Sequence, residues 1–158
     1  MIPIKREATI LDAVALAGNL RDEDREEIEA SNGSDLQATL VSSFMSSTET
    51  FVWTLDGKPI CMAGVAKSEF PGPLKGAGVP WMLGAPEMVR YSKMLVKDAR
   101  VYVDKKLDEY PILFNFVHVH NVTSILWLHR LGFRFGQLIP EYGVGKQPFI
   151  FFYRNRND

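Results

Sequence analysis

The stretch from Ile112 to His120, ILFNFVHVH, is rich in β-formers and nearly continuously apolar, and it narrows the folds open to the chain. A strand of that kind is covered on both faces, so it belongs inside a sheet with helices packed on each side. The preceding segment, Pro86 to Tyr110, supplies the crossover that a parallel neighbour requires: Met88, Tyr91, Leu95, Ala99, Tyr102 and Leu107 keep a helical stripe over roughly seven turns. A further helix is expected from Asn121 to Leu131, closed by Gly132.

The rest of the chain fills in around that unit. Ile10, Leu11, Val14 and Ala17 repeat at helical spacing before a Gly18-Asn19 stop, and Arg21 to Ala30, RDEDREEIEA, reads as a second helix ended by Asn32-Gly33. Its acidic residues are expected to form a solvated face. Ser34 is placed to cap a third helix that buries Leu36, Leu40 and Phe44. Phe51 to Leu55 and Pro59 to Ala66 form a hairpin about Asp56-Gly57, a two-residue turn signal. After a loop rich in proline and glycine, Phe70 to Gly78, Val79 to Leu83 resumes an extended run, and Phe133 to Ile139 and Pro148 to Tyr153 flank a turn region holding Tyr142. The expected order is ααα-ββ-β-α-β-α-ββ. It makes one α/β (α+β) domain over residues 1–158, with a mixed central sheet and helices on both faces.

Composition removes several function classes. Eighteen lysines and arginines stand against 19 acidic residues, a formal net charge of -1, so no basic field is present and nucleic acid is not an expected partner. Cys61 is the only cysteine and lies in an apolar run, which forbids an intrachain disulfide and predicts a buried thiol in a reducing interior. Met1 to Arg6 has no apolar run of the signal-peptide kind, and no stretch reaches the ~20 apolar residues of a membrane span, so a soluble protein without a membrane partner is expected.

The segment Phe114 to Phe133, FNFVHVHNVTSILWLHRLGF, resembles the end of the GNAT acyltransferase fold, where a strand leads through an asparagine into a helix closed by Gly-Phe. In the pattern N-x-x-A-x-x-L-Y-x-x-x-G-F, Asn121 fills the first place, Ser124 the small-residue place, Trp127 the leucine place, and Gly132-Phe133 the end. A narrower resemblance joins Arg21–Ile28, Asp56–Ile60, Val79–Gly84 and Trp127–Phe133 to the small GNAT-like proteins of tailed bacteriophages, including the internal virion protein A group of short-tailed phages.

The resemblance implies a splay between two parallel central strands, Val79 to Leu83 and Ile112 to His120, that holds acetyl-CoA or another acyl-CoA. The residues implied to bind it are Trp81, Met82, Leu83, Gly84, Ala85, Asn121 and Ser124, with Gly84 and Ala85 offering backbone amides. The usual Q/R-x-x-G-x-G/A diphosphate loop is replaced by Gly-Ala-Pro-Glu, where Pro86 has no N–H and Glu87 adds negative charge. The usual acid, a tyrosine seven places after the asparagine, is Leu128, which exchanges no proton. Asn121 also serves as a helix N-cap by type.

The catalytic candidates are therefore His118, His120 and Tyr142. The two histidines are two apart on the strand and so share one face, next to the splay, and they can act as a base or stand as a hydrogen-bonded structural pair. A metal would need a third ligand, and His129 comes with no supporting motif, so no metal site is expected. Two functions follow from the resemblance: acyl transfer to a primary amine of a protein or small molecule, or a GNAT-fold protein without catalysis that binds a phage or host protein. The setting is the host cytoplasm or the virion.

Overall fold

The computed structural model describes residues 2–33 and 35–158. A seven-stranded mixed sheet runs in the order β1-β2-β3-β4-β5-β7-β6, with β1 Ile4–Glu7, β2 Ser47–Leu55, β3 Lys58–Lys67, β4 Gly78–Gly84, β5 Ile112–His118, β6 Arg134–Tyr142 and β7 Gln147–Asn155. Among the described residues the five α-helices are α1 Ile10–Ala17, α2 Asp22–Asn32, α3 Leu36–Ser46, α4 Ser92–Glu109 and α5 Val122–Arg130.

Helices cover both faces, as the apolar pattern of β5 requires. On one face α4 and α5 pack on Trp53, Cys61, Leu113, Val117 and Phe152; on the other, α1 to α3 pack Leu16, Ile28 and Leu40 against Val52, Met62 and Leu83. Cys61 is fully buried, and burial pushes its thiol pKa up.

The strands that matter are β4 and β5. β4 pairs with β3 along its whole length, from Lys67↔Gly78 to Cys61↔Gly84, and β5 pairs with β7 from Ile112↔Asn155 to His118↔Phe149. Between β4 and β5 the pairing is parallel and holds at Gly78↔Leu113 alone. A Cβ on Gly78 would come within 2.5 Å of Leu113 Cδ2 and 2.9 Å of Val65 Cγ1, so glycine is what lets the strands meet at their bases. Beyond that point they part toward their C-terminal ends, as the expected splay requires.

Several sequence expectations change in detail. β1, IKRE, is a strand that the pattern did not give: all four residues are exposed at a sheet edge, paired with β2 from Ile4↔Thr54 to Glu7↔Phe51, so no apolar alternation marks it. β2 begins at Ser47 and β6 extends to Tyr142, longer than their apolar cores. The helix expected from Pro86 starts as a 3-10 segment, Pro86–Tyr91, and becomes α-helical only at Ser92. β5 stops at His118, which leaves His120 in the turn that follows. The cap expected of Ser34 lies outside the described residues; Asp35 caps α3, its side chain accepting from the Ala38 N–H at 2.9 Å. The hairpin turn is as read, with Asp56 and Gly57 at φ 54° and 79°.

Candidate functional site

The parted ends of β4 and β5 are bridged by helix α2, the helix whose acids the sequence assigns to solvent. Its spacing is the reason. Arg21, Asp24 and Ile28 fall on the inward face, Asp24 is 1% exposed and Arg21 3%. Asp24 Oδ2 accepts the Gly84 N–H at 2.9 Å, and the Gly84 carbonyl accepts the Arg21 backbone N–H at 2.9 Å. One turn on, Glu27 Oε1 accepts the His118 N–H at 2.7 Å and Glu27 Oε2 accepts from Asn121 Nδ2 at 3.1 Å. The end of β4 is thus tied to Asp24 and the end of β5 to Glu27.

Arg21 completes the bridge. Its guanidinium meets Asp24 through Nε at 3.0 Å and NH2 at 2.8 Å, and the same NH2 donates to Asn121 Oδ1 at 2.9 Å and Ser124 Oγ at 2.8 Å. Asn121 is 2% exposed, caps α5 by accepting the Ser124 N–H at 3.4 Å, and has both amide atoms engaged within the chain.

Burial raises both carboxylates. Burial pushes Asp24 up, opposed by the Arg21 charge and by the bonds it accepts. Glu27 is pushed up to about 7, first by burial, with the nearby Asp24 charge adding to it and the His118 and Asn121 donors opposing. A cavity of about 250 Å³ passes between the strands, lined from one face by Glu27, Trp81, Phe116 and Tyr142 and from the other by Met88, Trp127 and Phe152. Glu27 is the one charged residue among its described lining.

The other expected site residues fall as follows. Met82 lies in the gap. The Ala85 N–H bonds the Ile60 carbonyl at 2.9 Å, which fixes the alternation: Pro80, Met82 and Gly84 turn their backbone groups toward the splay. The Pro80 carbonyl accepts from Asn115 Nδ2 at 2.8 Å. Leu83 packs in the α1–α3 core, and Trp81 donates its indole N–H to Ser47 Oγ at 2.8 Å. Tyr142 ends β6 rather than sitting in a loop; its ring stacks on Phe116 at 4.7 Å, and burial followed by the Glu27 charge raises its pKa. His118 and His120 lie 5.1 Å apart between ring centroids, and His118 Nδ1 accepts the His120 N–H at 3.1 Å. Burial, helped by His120, lowers the His118 pKa.

Acyl-CoA, held as the GNAT resemblance implies, needs free amides where β4 runs into the next helix, and a free Asn121 amide. The amides of Gly84 and Ala85 are both taken, by Asp24 and Ile60. Pro86–Tyr91 is a 3-10 segment in place of a glycine loop, and Glu87 is paired to Lys58 at 2.8 Å. The residues as arranged do not fit the group in that manner.

Sequence reasoning missed Arg21, Asp24 and Glu27 as site residues. In RDEDREEI the helical spacing puts positions 21 and 24 on the face of Ile28, but it does not say whether those charges meet water or a gap in the sheet.

A mixed sheet split at one parallel pair, with a crossover helix between the two strands and helices on both faces, is the GNAT fold. Solved structures agree across nearly the whole chain. A Streptococcus mutans protein, smu.2055, superposes with a TM-score of 0.72 at 13% identity, covering 97% of this chain and 99% of its own. A GNAT-family acetyltransferase from Bacillus anthracis gives 0.71 at 11% identity, covering 100% and 97%. A phosphinothricin acetyltransferase of the GNAT superfamily from Sinorhizobium meliloti, solved in complex with acetyl-CoA, gives 0.68 at 16% identity, covering 98% and 89%. No family model and no curated protein matches the sequence.

Proposed function

We propose that this GNAT-fold chain recognises an amine-bearing segment of a partner protein, phage or host, in the cleft between β4 and β5, and that it acts by binding rather than by acyl transfer. The observation that carries the reading is a lone carboxylate in an aromatic-walled cavity: Glu27 beside Phe116, Tyr142 and Trp81. An ammonium placed there gains a counter-charge and the faces of the rings. Each Glu27 oxygen already accepts one N–H, so the carboxylate edge is not free for a bidentate guanidinium, and lysine suits it better than arginine. The phage setting, in the virion or the host cytoplasm, rests on the sequence blocks that resemble tailed-phage GNAT-like proteins.

The test is calorimetric titration of the protein with a lysine-rich peptide and, separately, with acetyl-CoA and CoA. Binding of the peptide is expected, weakened about tenfold by Glu27→Gln, with no heat from either coenzyme. Peptide affinity unchanged in Glu27→Gln would sink the reading.

One observation favours the second reading, an acyl-CoA-dependent N-acyltransferase: a carboxyl group near 7 in the cleft suits a base that takes the proton from an amine. Of the catalytic candidates, Tyr142 lines the cavity with Glu27, while His118 and His120 are not among its described lining. Mass-spectrometric detection of an acetylated lysine peptide after incubation with acetyl-CoA would move this reading to first place.

A further inference from the structure

The gap between the two parted strands keeps a cavity along its length, and a buried ion pair crosses its C-terminal end, between Gly84 and Asn121. We infer that the N-terminal turn of α2 is a built-in plug: Arg21 and Asp24 close the C-terminal end of the gap to a pantetheine-like chain, and that end opens only when they withdraw together. The inference rests on the binding reading above in taking the resting protein as closed to coenzyme.

Three observations converge on it. The backbone of β4 turns Pro80, Met82 and Gly84 toward the gap; Pro80 has no N–H and its carbonyl is held by Asn115, while Gly84 is held at both its N–H and its carbonyl by α2 and the residue before it. An extended amide-bearing ligand lying along β4 would pair with those groups, and only Met82 remains to it. Second, the guanidinium of Arg21 crosses from the end of β4 to the start of α5, reaching Asn121 and Ser124 at 2.9 and 2.8 Å, so it spans the C-terminal end of the gap. Third, Arg21 and Asp24 are the two buried members of the cluster, with the half-buried Glu23 meeting Arg21 from outside at 3.3 Å. The buried pair leaves or enters together, whereas removal of Arg21 alone strands Asp24 in the interior.

The direct test replaces both groups at once, Arg21→Ala with Asp24→Ala, and follows binding of pantetheine by NMR titration. Pantetheine carries no diphosphate, so the changed Pro86–Tyr91 segment does not enter the result. The double variant should bind pantetheine about tenfold or more tightly than the wild type, with shifts at Met82 and Gly84. A folded double variant that gains no affinity overturns the plug. If the double variant does not fold, amide exchange in the wild type decides: the Gly84 N–H should exchange slowly, and its rate should not change when pantetheine is added. A Gly84 amide that exchanges like an open-chain amide, or that pantetheine protects further, overturns the inference. Failure of the amine-binding reading shows separately, in the lysine-peptide titration, where Glu27 and not the plug is varied.

Discussion

Asp24 and Glu27 sit one turn apart on α2, and each accepts a backbone N–H from the end of one of the parted strands, at 2.9 Å from Gly84 and 2.7 Å from His118. Their surroundings make them different groups. Asp24 has a guanidinium against both oxygens and is sealed at 1% exposure, so it behaves as half of a fixed pair. Glu27 has amide donors only and faces the cavity, so it sits near 7 and changes charge in the physiological range. Two carboxylates on one helix thus divide into a structural tie and a cavity-facing titratable site because the Arg21 guanidinium bonds one directly and acts on the other only as a more distant charge.

The largest effect should come from breaking the tie. Asp24→Asn leaves the buried Arg21 with only the half-buried Glu23, at 3.3 Å, as counter-charge, and a loss of about 3–5 kcal/mol is expected in urea denaturation. A loss below about 1 kcal/mol would mean that Glu23, Asn121 and Ser124 suffice for Arg21, and the contrast between the two acids would collapse.

The pH dependence sharpens the other side. The Glu27 carboxyl is raised from 4.5 unfolded to about 7 folded, so its contribution is fully present below 4.5 and lost as pH rises through about 7. Stability should fall by about 2 kcal/mol between about pH 5.5 and about pH 8, and Glu27→Gln should flatten that slope. A variant with the wild-type slope would place the titration elsewhere.

Asn121 touches both acids, through Arg21 and directly through Glu27. Serine can keep the cap of α5, and from capping alone the change would be nearly neutral. The lost bonds to Arg21 and Glu27 should instead cost about 1.5 kcal/mol, read as a lower melting temperature. A neutral result would show that the network closes without the amide.

The smallest effect is expected at Glu87, outside the network. Its charge is already met by Lys58 at the surface, so Glu87→Gln should change stability by less than about 0.5 kcal/mol and leave coenzyme affinity where it was. Tighter coenzyme binding in this variant would put phosphate at the start of that helical segment after all.

The sequence by itself determined the sheet interior and its helices. Continuous apolarity in β5, helical spacing in α4 and the Asp56-Gly57 turn are local signals, because side-chain period and backbone preference are written within a few residues. It also determined that Asn121 opens α5 and that the strands before and after the long helix run parallel. The edge strand β1 was not legible, since an exposed edge has no burial to pattern its residues. Nor was the role of RDEDREEI: a charge run looks the same in sequence whether it faces water or a gap in a sheet. What turned Arg21, Asp24 and Glu27 inward was the splay itself, which leaves the gap-facing backbone N–H groups of Gly84 and His118 without a strand partner on that side. Buried N–H groups of that kind must find acceptors, and the acceptors that reached them lie about 60 and about 90 residues away along the chain, a distance over which no local pattern operates.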